Sequence, residues 1–150
     1  MNASSEACIF CKIVQKAEVA SIVFEDDVSL AFLDKRPLFA GHTILIPKYH
    51  FKIFSDLPGE LIGKLFSNAQ ILDKAVQAAM NAEGSFIAAN NKISQSVPHF
   101  HIHIVPRNHK DGLRGFFWPR TSYSSESDKN DVLLKIKKEI TLISNLSNRT

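Results

Sequence analysis

Apolar and polar positions along the chain fall into short strand-like runs, then one long helical run, then strands again. Residues 21–24 are β-rich, and Asp26-Asp27 suits a turn. An apolar run over 28–33 ends at Asp34, Pro37 interrupts the chain, and Gly41 precedes a second run over 43–46 that stops at Pro47. This predicts a meander of short antiparallel strands. Leu61, Leu65, Leu72, Val76 and Ala79 then recur at helical spacing. Ser55 or Asp56 suits the cap, Pro58 the first turn, and Gly84 a stop just past an end near Ala82.

Residues 85–89 read as a strand, 90–96 as a polar loop, and 99–105 as a strand ended by Pro106. An irregular stretch over 107–120 carries Phe116-Phe117-Trp118, and 121–130 reads as a polar linker. Residues 131–144 predict an amphipathic helix with Leu133, Ile136, Ile140 and Ile143 on one face. The pattern predicts an α+β fold: a mostly antiparallel sheet, one long helix and a C-terminal helix.

Composition narrows the function classes. The chain has 150 residues, 45% apolar and 22% charged, which suits one domain with a real core. A net charge of +3 with scattered Lys and Arg gives no basic stripe, so a nucleic-acid partner is not expected. No apolar run reaches membrane-spanning length, and residues 1–7 lack a leader pattern, so the expectation is a cytoplasmic protein with no membrane partner. The two cysteines, Cys8 and Cys11, are spaced C-x-x-C, which suits metal or redox chemistry or two incidental thiols.

Three of the six histidines stand at 99, 101 and 103. Alternate residues of a strand share a face, so the three rings face one way and Phe100, Ile102 and Ile104 the other. A single three-histidine metal site is disfavoured, because the outer two backbones lie roughly 13 Å apart on a strand. Nucleophilic attack by a neutral imidazole on phosphorus fits better.

His99-Phe100-His101-Ile102-His103-Ile104-Val105 resembles the signature of the histidine-triad (HIT) family. Cys8-Ile9-Phe10-Cys11, Ala31-Phe32-Leu33-Asp34, Gly41-His42-Thr43, Ile46-Pro47-Lys48-Tyr49-His50, Gln95-Ser96-Val97-Pro98 and Pro106-Arg107 resemble further segments of it, in order, over about residues 8–107. The resemblance implies a HIT-like fold and a single domain over 1–150, with 107–150 a variable C-terminal extension.

It also implies cleavage at the α-phosphate of purine nucleotides or their conjugates through a nucleotidyl-histidine. His101 is then the nucleophile. His103, Gln95 and Ser96 contact the phosphate or leaving group, with Ser96 able to donate a proton. Asp34 is the ribose acid, Asn90 reaches sugar or phosphate, and Phe10 and Phe32 line the base pocket. Core packing for the two rings, and turn roles for Asp34 and Ser96, are alternative readings. Cys8, Cys11, His50 and His99 match a structural zinc site of bacterial-type members. His42 and His109 receive no partner, each read as a satisfied or exposed histidine.

A homodimer is expected by the same resemblance. Two departures stand out. The stretch Asn90-Asn91-Lys92-Ile93-Ser94-Gln95 lacks the glycine that many relatives carry, and the segment around Phe116-Phe117-Trp118 has no assigned counterpart. Phosphoramidates or adenylyl conjugates are the first expected substrates. Dinucleoside polyphosphates are the alternative, weakly favoured by Arg107, Arg114 and Arg120; a nucleotide-binding scaffold is the third reading.

Overall fold

A computed structural model describes residues 7–113 and 122–147, with side chains in the last segment described as far as residue 139. The chain divides between Gly112 and Leu113 into two compact units. The first contains helix α1 (Ile9–Val14), strands β1 (Ile22–Glu25), β2 (Ser29–Leu33) and β3 (Thr43–Pro47), a 3-10 turn (Phe54–Asp56), helix α2 (Gly59–Met80), and strands β4 (Gly84–Ala88) and β5 (Ile102–Arg107). The second contains helix α3 (Glu126–Ser147). The α+β expectation and the antiparallel sheet both hold: the five strands are ordered β1-β2-β3-β5-β4 and every neighbouring pair is antiparallel.

Both faces of the sheet centre are covered, which explains why β2 and β3 read as continuous apolar runs. Ala31, Leu45, Phe100, Ile102 and Ile104 face a core shared with Leu65, Ala69, Leu72 and Val76 of α2. Leu30, Phe32, Ile44 and Ile46 face the other way, onto Cys8, Phe10, Cys11 and Ile13 of the α1 segment. A buried polar knot ties α2 to the first turn. Asn68 donates to Asp26 Oδ2 at 2.6 Å and to Ser29 Oγ at 3.0 Å. Burial alone would raise the Asp26 carboxyl, but bonds from Asn68, Ser29 and Val28 outweigh it and hold the group below the usual range.

Several sequence expectations move. α1 was not foreseen: its six residues are too few to show a helical period, and it is held by packing. α2 starts after Pro58, which occupies the N-cap rather than the first turn, and Asp56 instead caps the 3-10 turn by accepting the Ile53 N–H. The left-handed C-cap is Asn81 (φ 49°), while Gly84 already opens β4. β5 begins at Ile102 and runs through Pro106 to Arg107. Pro106 is tolerated because the β3 ladder stops at Thr43↔Ile104.

α3 starts at Glu126, inside the expected linker, with Ser125 Oγ accepting the Asp128 N–H at 3.0 Å. Leu133 and Ile136 of its apolar face are exposed. Phe116-Phe117-Trp118, Arg114 and Arg120 lie outside the described residues. No helix of the described residues is long and apolar enough to cross a membrane.

Candidate active site and metal centre

Two of the three histidines, His99 and His101, stand ahead of the sheet, and the third, His103, lies within β5 between β3 and β4. His99, Phe100 and His101 precede the β5 ladder, and the first two are pinned by the end of β3 and the segment that follows it. The Phe100 N–H donates to the Phe51 carbonyl at 2.6 Å, and His99 Nε2–H donates to the Pro47 carbonyl at 2.9 Å. The two-faced alternation survives: Phe100, Ile102 and Ile104 are core, while His99 and His101 pack against Phe10 at ring separations of 5.8 and 5.3 Å.

His101 is 2% exposed, and its Nδ1–H donates to the His99 carbonyl at 2.7 Å. That bond fixes the tautomer and leaves the Nε2 lone pair unspent. Burial pushes its pKa down, opposed by the same carbonyl bond and by Asp34, so the ring is neutral at pH 7.

A chain of hydrogen bonds sets the tautomers of the next two rings. The Leu38 N–H donates to His42 Nδ1 at 3.2 Å, so that nitrogen carries no proton. The proton therefore sits on His42 Nε2, which donates to His103 Nδ1 at 2.9 Å. His103 Nδ1 is then an acceptor, and its Nε2–H is left as a donor. His103 is pushed down to about 4 by burial first, then by His101 and His42, and so stays neutral. Asp34 Oδ2 lies 3.6 Å from His42 Nδ1, beyond hydrogen-bond range, and Oδ1 accepts the Arg36 N–H at 2.8 Å.

His42 is the site residue that sequence reasoning missed. It is 3% exposed, far from an incidental surface histidine. Its place follows from the sheet register, not from a motif: His42 stands two residues before Ile44, the cross-strand partner of His103. Gly41 (φ 89°) makes the entry possible, since a Cβ there would come within 2.5 Å of Met80 Cγ. His109 is exposed and pairs with Glu83 at 3.0 Å.

A cavity of about 820 Å³ opens over these groups. Ile9, Phe10, Ile13, Phe32, Leu33 and Ile44 form an apolar wall, and Asp34, Ser96, His101 and His103 also line it. Apolar walls with a few convergent polar groups suit a flat aromatic ligand with a polar tail. Gln95 and Asn90 are not among its lining residues. Gln95 ties the loop together, accepting the Lys92 N–H at 2.9 Å and donating to the Lys52 carbonyl at 2.7 Å. Asn90 donates to the Ser94 carbonyl at 3.1 Å.

Cys8, Cys11, His50 and His99 present ligand atoms that all lie within 4.8 Å of one another. Cys8 Sγ and Cys11 Sγ stand 3.5 and 3.6 Å from His99 Nδ1, and Cys11 Sγ stands 3.3 Å from His50 Nδ1. Zn–S bonds of about 2.3 Å and Zn–N bonds of about 2.0 Å at a tetrahedral angle put S and N about 3.5 Å apart. The four side chains therefore fit a tetrahedral ion. His99 also has the expected outer support, its far N–H on the Pro47 carbonyl. Burial, aided by Cys8, pushes the Cys11 thiol up to about 12, so an ion must displace its proton.

Residues 15–110 match the HIT domain family. The chain belongs to the HIT domain family. The adenosine 5′-monophosphoramidase of Saccharomyces cerevisiae is 39% identical over 138 residues, covering 89% of this chain and 80% of that protein. The adenylylsulfatase of Arabidopsis thaliana is 32% identical over 126 residues, covering 83% of this chain; the chain spans 62% of that relative's length. A crystal structure of a zinc-bound histidine triad family protein from Mycobacterium smegmatis superposes with a TM-score of 0.69 at 33% identity, covering 90% of this chain and 99% of that one. The HIT fold and the resemblance drawn from the sequence are thus shown, and the relatives support nucleotide hydrolysis at the level of the family.

Proposed function

We propose that this HIT protein cleaves purine nucleotide conjugates, adenosine phosphoramidates or adenylyl esters and anhydrides, at the α-phosphate through a nucleotidyl-His101 intermediate. The observation that carries this reading is the bond from His101 Nδ1–H to the His99 carbonyl, beside a cavity that also holds Asp34 and His103. It leaves a neutral, buried ring with one free lone pair on Nε2.

In the proposed reaction that lone pair attacks phosphorus and the bond to the leaving group breaks. The departing atom takes its proton from Ser96 or from His103 Nε2–H. Water then attacks phosphorus and returns one proton to the group that gave one up, the P–N bond to His101 breaks, and the nucleoside monophosphate leaves. Asp34 accepts from the ribose hydroxyls through Oδ2, since Oδ1 is engaged by Arg36. Phe10 and Phe32 flank the base, their rings 5.4 Å apart edge to face.

Cys8, Cys11, His50 and His99 would hold zinc, which would supply a structural cross-link between α1 and the strand of histidines. Gln95 and Asn90 enter the reading as braces of the loop over the phosphates.

Hydrolysis of dinucleoside polyphosphates is supported less. It leaned on extra arginines, and Arg107 is committed to Asp111 through a two-pronged ion pair. The proposal extends to a cytoplasmic homodimer, in keeping with two cysteines kept as thiols. Light scattering across a concentration series tests the dimer.

The deciding experiment incubates wild type and His101→Ala with an adenosine phosphoramidate and with diadenosine polyphosphate. The expected result is preferential hydrolysis of the phosphoramidate by wild type and none by the variant. Equal rates in the two proteins would sink the nucleophile, and equal silence would leave the scaffold reading.

A further inference from the structure

The metal centre and the nucleotide cavity share one element. α1 carries Cys11, follows Cys8 at its N-cap, and contributes Ile9, Phe10 and Ile13 to the cavity wall. It spans only six residues and has no side-chain cap, so it has little helical stability of its own. Phe10 stands edge-on to a ring of the metal centre, His99, and to a ring of the cavity, His101. The His99 side chain faces the two sulfurs while its carbonyl fixes the His101 tautomer.

We infer that metal occupancy at Cys8, Cys11, His50 and His99 is coupled to nucleotide binding through α1, and that oxidation of the cysteine pair releases both together. The inference rests on the nucleotide reading above. With the ion held, four donors fasten α1 to the sheet and the apolar wall stands ready. Without it, the α1 segment keeps only the side-chain packing of Cys8, Phe10, Cys11 and Ile13 against the sheet, and a nucleotide must order the wall as it binds. Linkage makes the effect reciprocal: whatever factor the ion adds to nucleotide affinity, the nucleotide adds to ion affinity.

The C-x-x-C spacing gives the centre a release route. Both sulfurs lie within the same 4.8 Å group, close enough for a short movement to join them. A hydroperoxide such as hydrogen peroxide oxidises the pair. The two thiolates give up one electron each and form the Cys8–Cys11 bond. Hydrogen peroxide takes those two electrons and two protons and leaves as two waters. The ion, having lost two of four donors, departs. Nucleotide in the cavity covers α1 and slows this step.

The test uses the full chain, zinc and AMP. Zinc affinity is measured against a chromophoric chelator with and without AMP, and AMP affinity by calorimetry with zinc-loaded and chelator-stripped protein. The expected result is a matched change of about 10-fold in both, within the usual span of such couplings. Peroxide should release zinc with loss of two thiols per chain, more slowly with AMP present, and dithiothreitol plus zinc should restore AMP binding.

Equal AMP affinity with and without zinc overturns the coupling alone. No AMP binding to zinc-loaded protein overturns the nucleotide reading and the coupling with it. Loss of sheet circular dichroism on stripping would make the centre a folding requirement and overturn the local coupling. Thiol oxidation with zinc retained overturns the release step. Ile9→Glu supplies a separate check: it spoils the wall while sparing all four ligands, so AMP should no longer tighten zinc, whereas zinc alone should bind as before.

Discussion

Two groups of ligand-type side chains lie on the same side of the sheet, and each passes the simple test of proximity. Cys8, Cys11, His50 and His99 form one, and Asp34, His42 and His103 the other; both keep their ligand atoms within 4.8 Å. They differ in where the protons go. In the first, the ligand nitrogens face sulfurs at 3.3–3.6 Å, close to the edge of a zinc tetrahedron. In the second, His42 Nε2 and His103 Nδ1 are 2.9 Å apart, shorter than the roughly 3.3 Å of two imidazoles on one tetrahedral zinc.

Asp34, moreover, lies 3.6 Å from the other nitrogen of His42, on the far side of the ring from the His103 contact. A backbone N–H from Leu38 decides the matter by fixing one tautomer, and the second group becomes a hydrogen-bond chain that aims a proton at the cavity. Distance alone does not distinguish a metal site from a proton relay; the donor and acceptor inventory does.

His101 stands between the groups, its carbonyl anchor on one side and His103, at a ring separation of 4.8 Å, on the other. The harshest challenge to the comparison is therefore His101→Ala. Turnover of an adenosine phosphoramidate should fall by about 100,000-fold, the scale of losing a covalent nucleophile. Zinc content and AMP binding should change little. A residual rate within 10-fold of wild type would mean that neither group serves this ring.

Cys8→Ser tests the metal half. Bound zinc, measured by plasma emission, should drop well below one per chain. Thermal stability should fall by about 3 kcal/mol when wild type is held at roughly 100 times its zinc Kd. An unchanged melting temperature with zinc in excess would show that the four side chains do not share an ion in solution.

The comparison also marks how far a sequence alone can be read. The alternation at 99–105 placed three apolar residues in the core and the rings opposite, because a period of two is local. The four metal ligands were visible as spaced residues, yet only the fold gathers them, across sequence separations of up to 91. α1 was hidden because six residues hold no period.

His42 was hidden for another reason. Its role depends on a Leu38 N–H and on cross-strand placement near His103, neither of which leaves a motif. Gln95 and Asn90 show the same gap: polar residues beside a signature suggest ligand contact, and nothing in the sequence tells that Asn90 bonds the Ser94 carbonyl or that Gln95 bonds Lys92 and the distant Lys52 carbonyl. Local periodicity survives reading; hydrogen-bond partners do not.

His42→Ala tests the relay half, with a smaller effect. Without the Nε2–H donor, His103 no longer has a fixed tautomer, and kcat should fall about 10- to 100-fold while KM and zinc content hold. His42→Gln can place an amide N–H near the lost donor and should recover part of the rate. A merely structural role would give equal losses in both variants, and would sink the relay.

The smallest effect is a pH slope. Burial, then His101 and His42, hold His103 at about 4 in the fold, whereas an unfolded chain takes up that proton near 6.5. Between those values the unfolded state binds more protons, so stability falls as pH drops from 6.5 toward 4; above 6.5 the group adds no slope. One histidine accounts for at most about 1.4 kcal/mol per pH unit, and His103 for less, because the ring borders the cavity and solvent screens it. Urea melts at half-unit steps should show a shallower decline in His103→Gln than in wild type. Identical slopes would mean that His103 accepts its proton in the folded protein as readily as in the unfolded chain. A ring so easily charged could not be kept as a neutral link, and the contrast between a metal group and a proton relay would lose its second member.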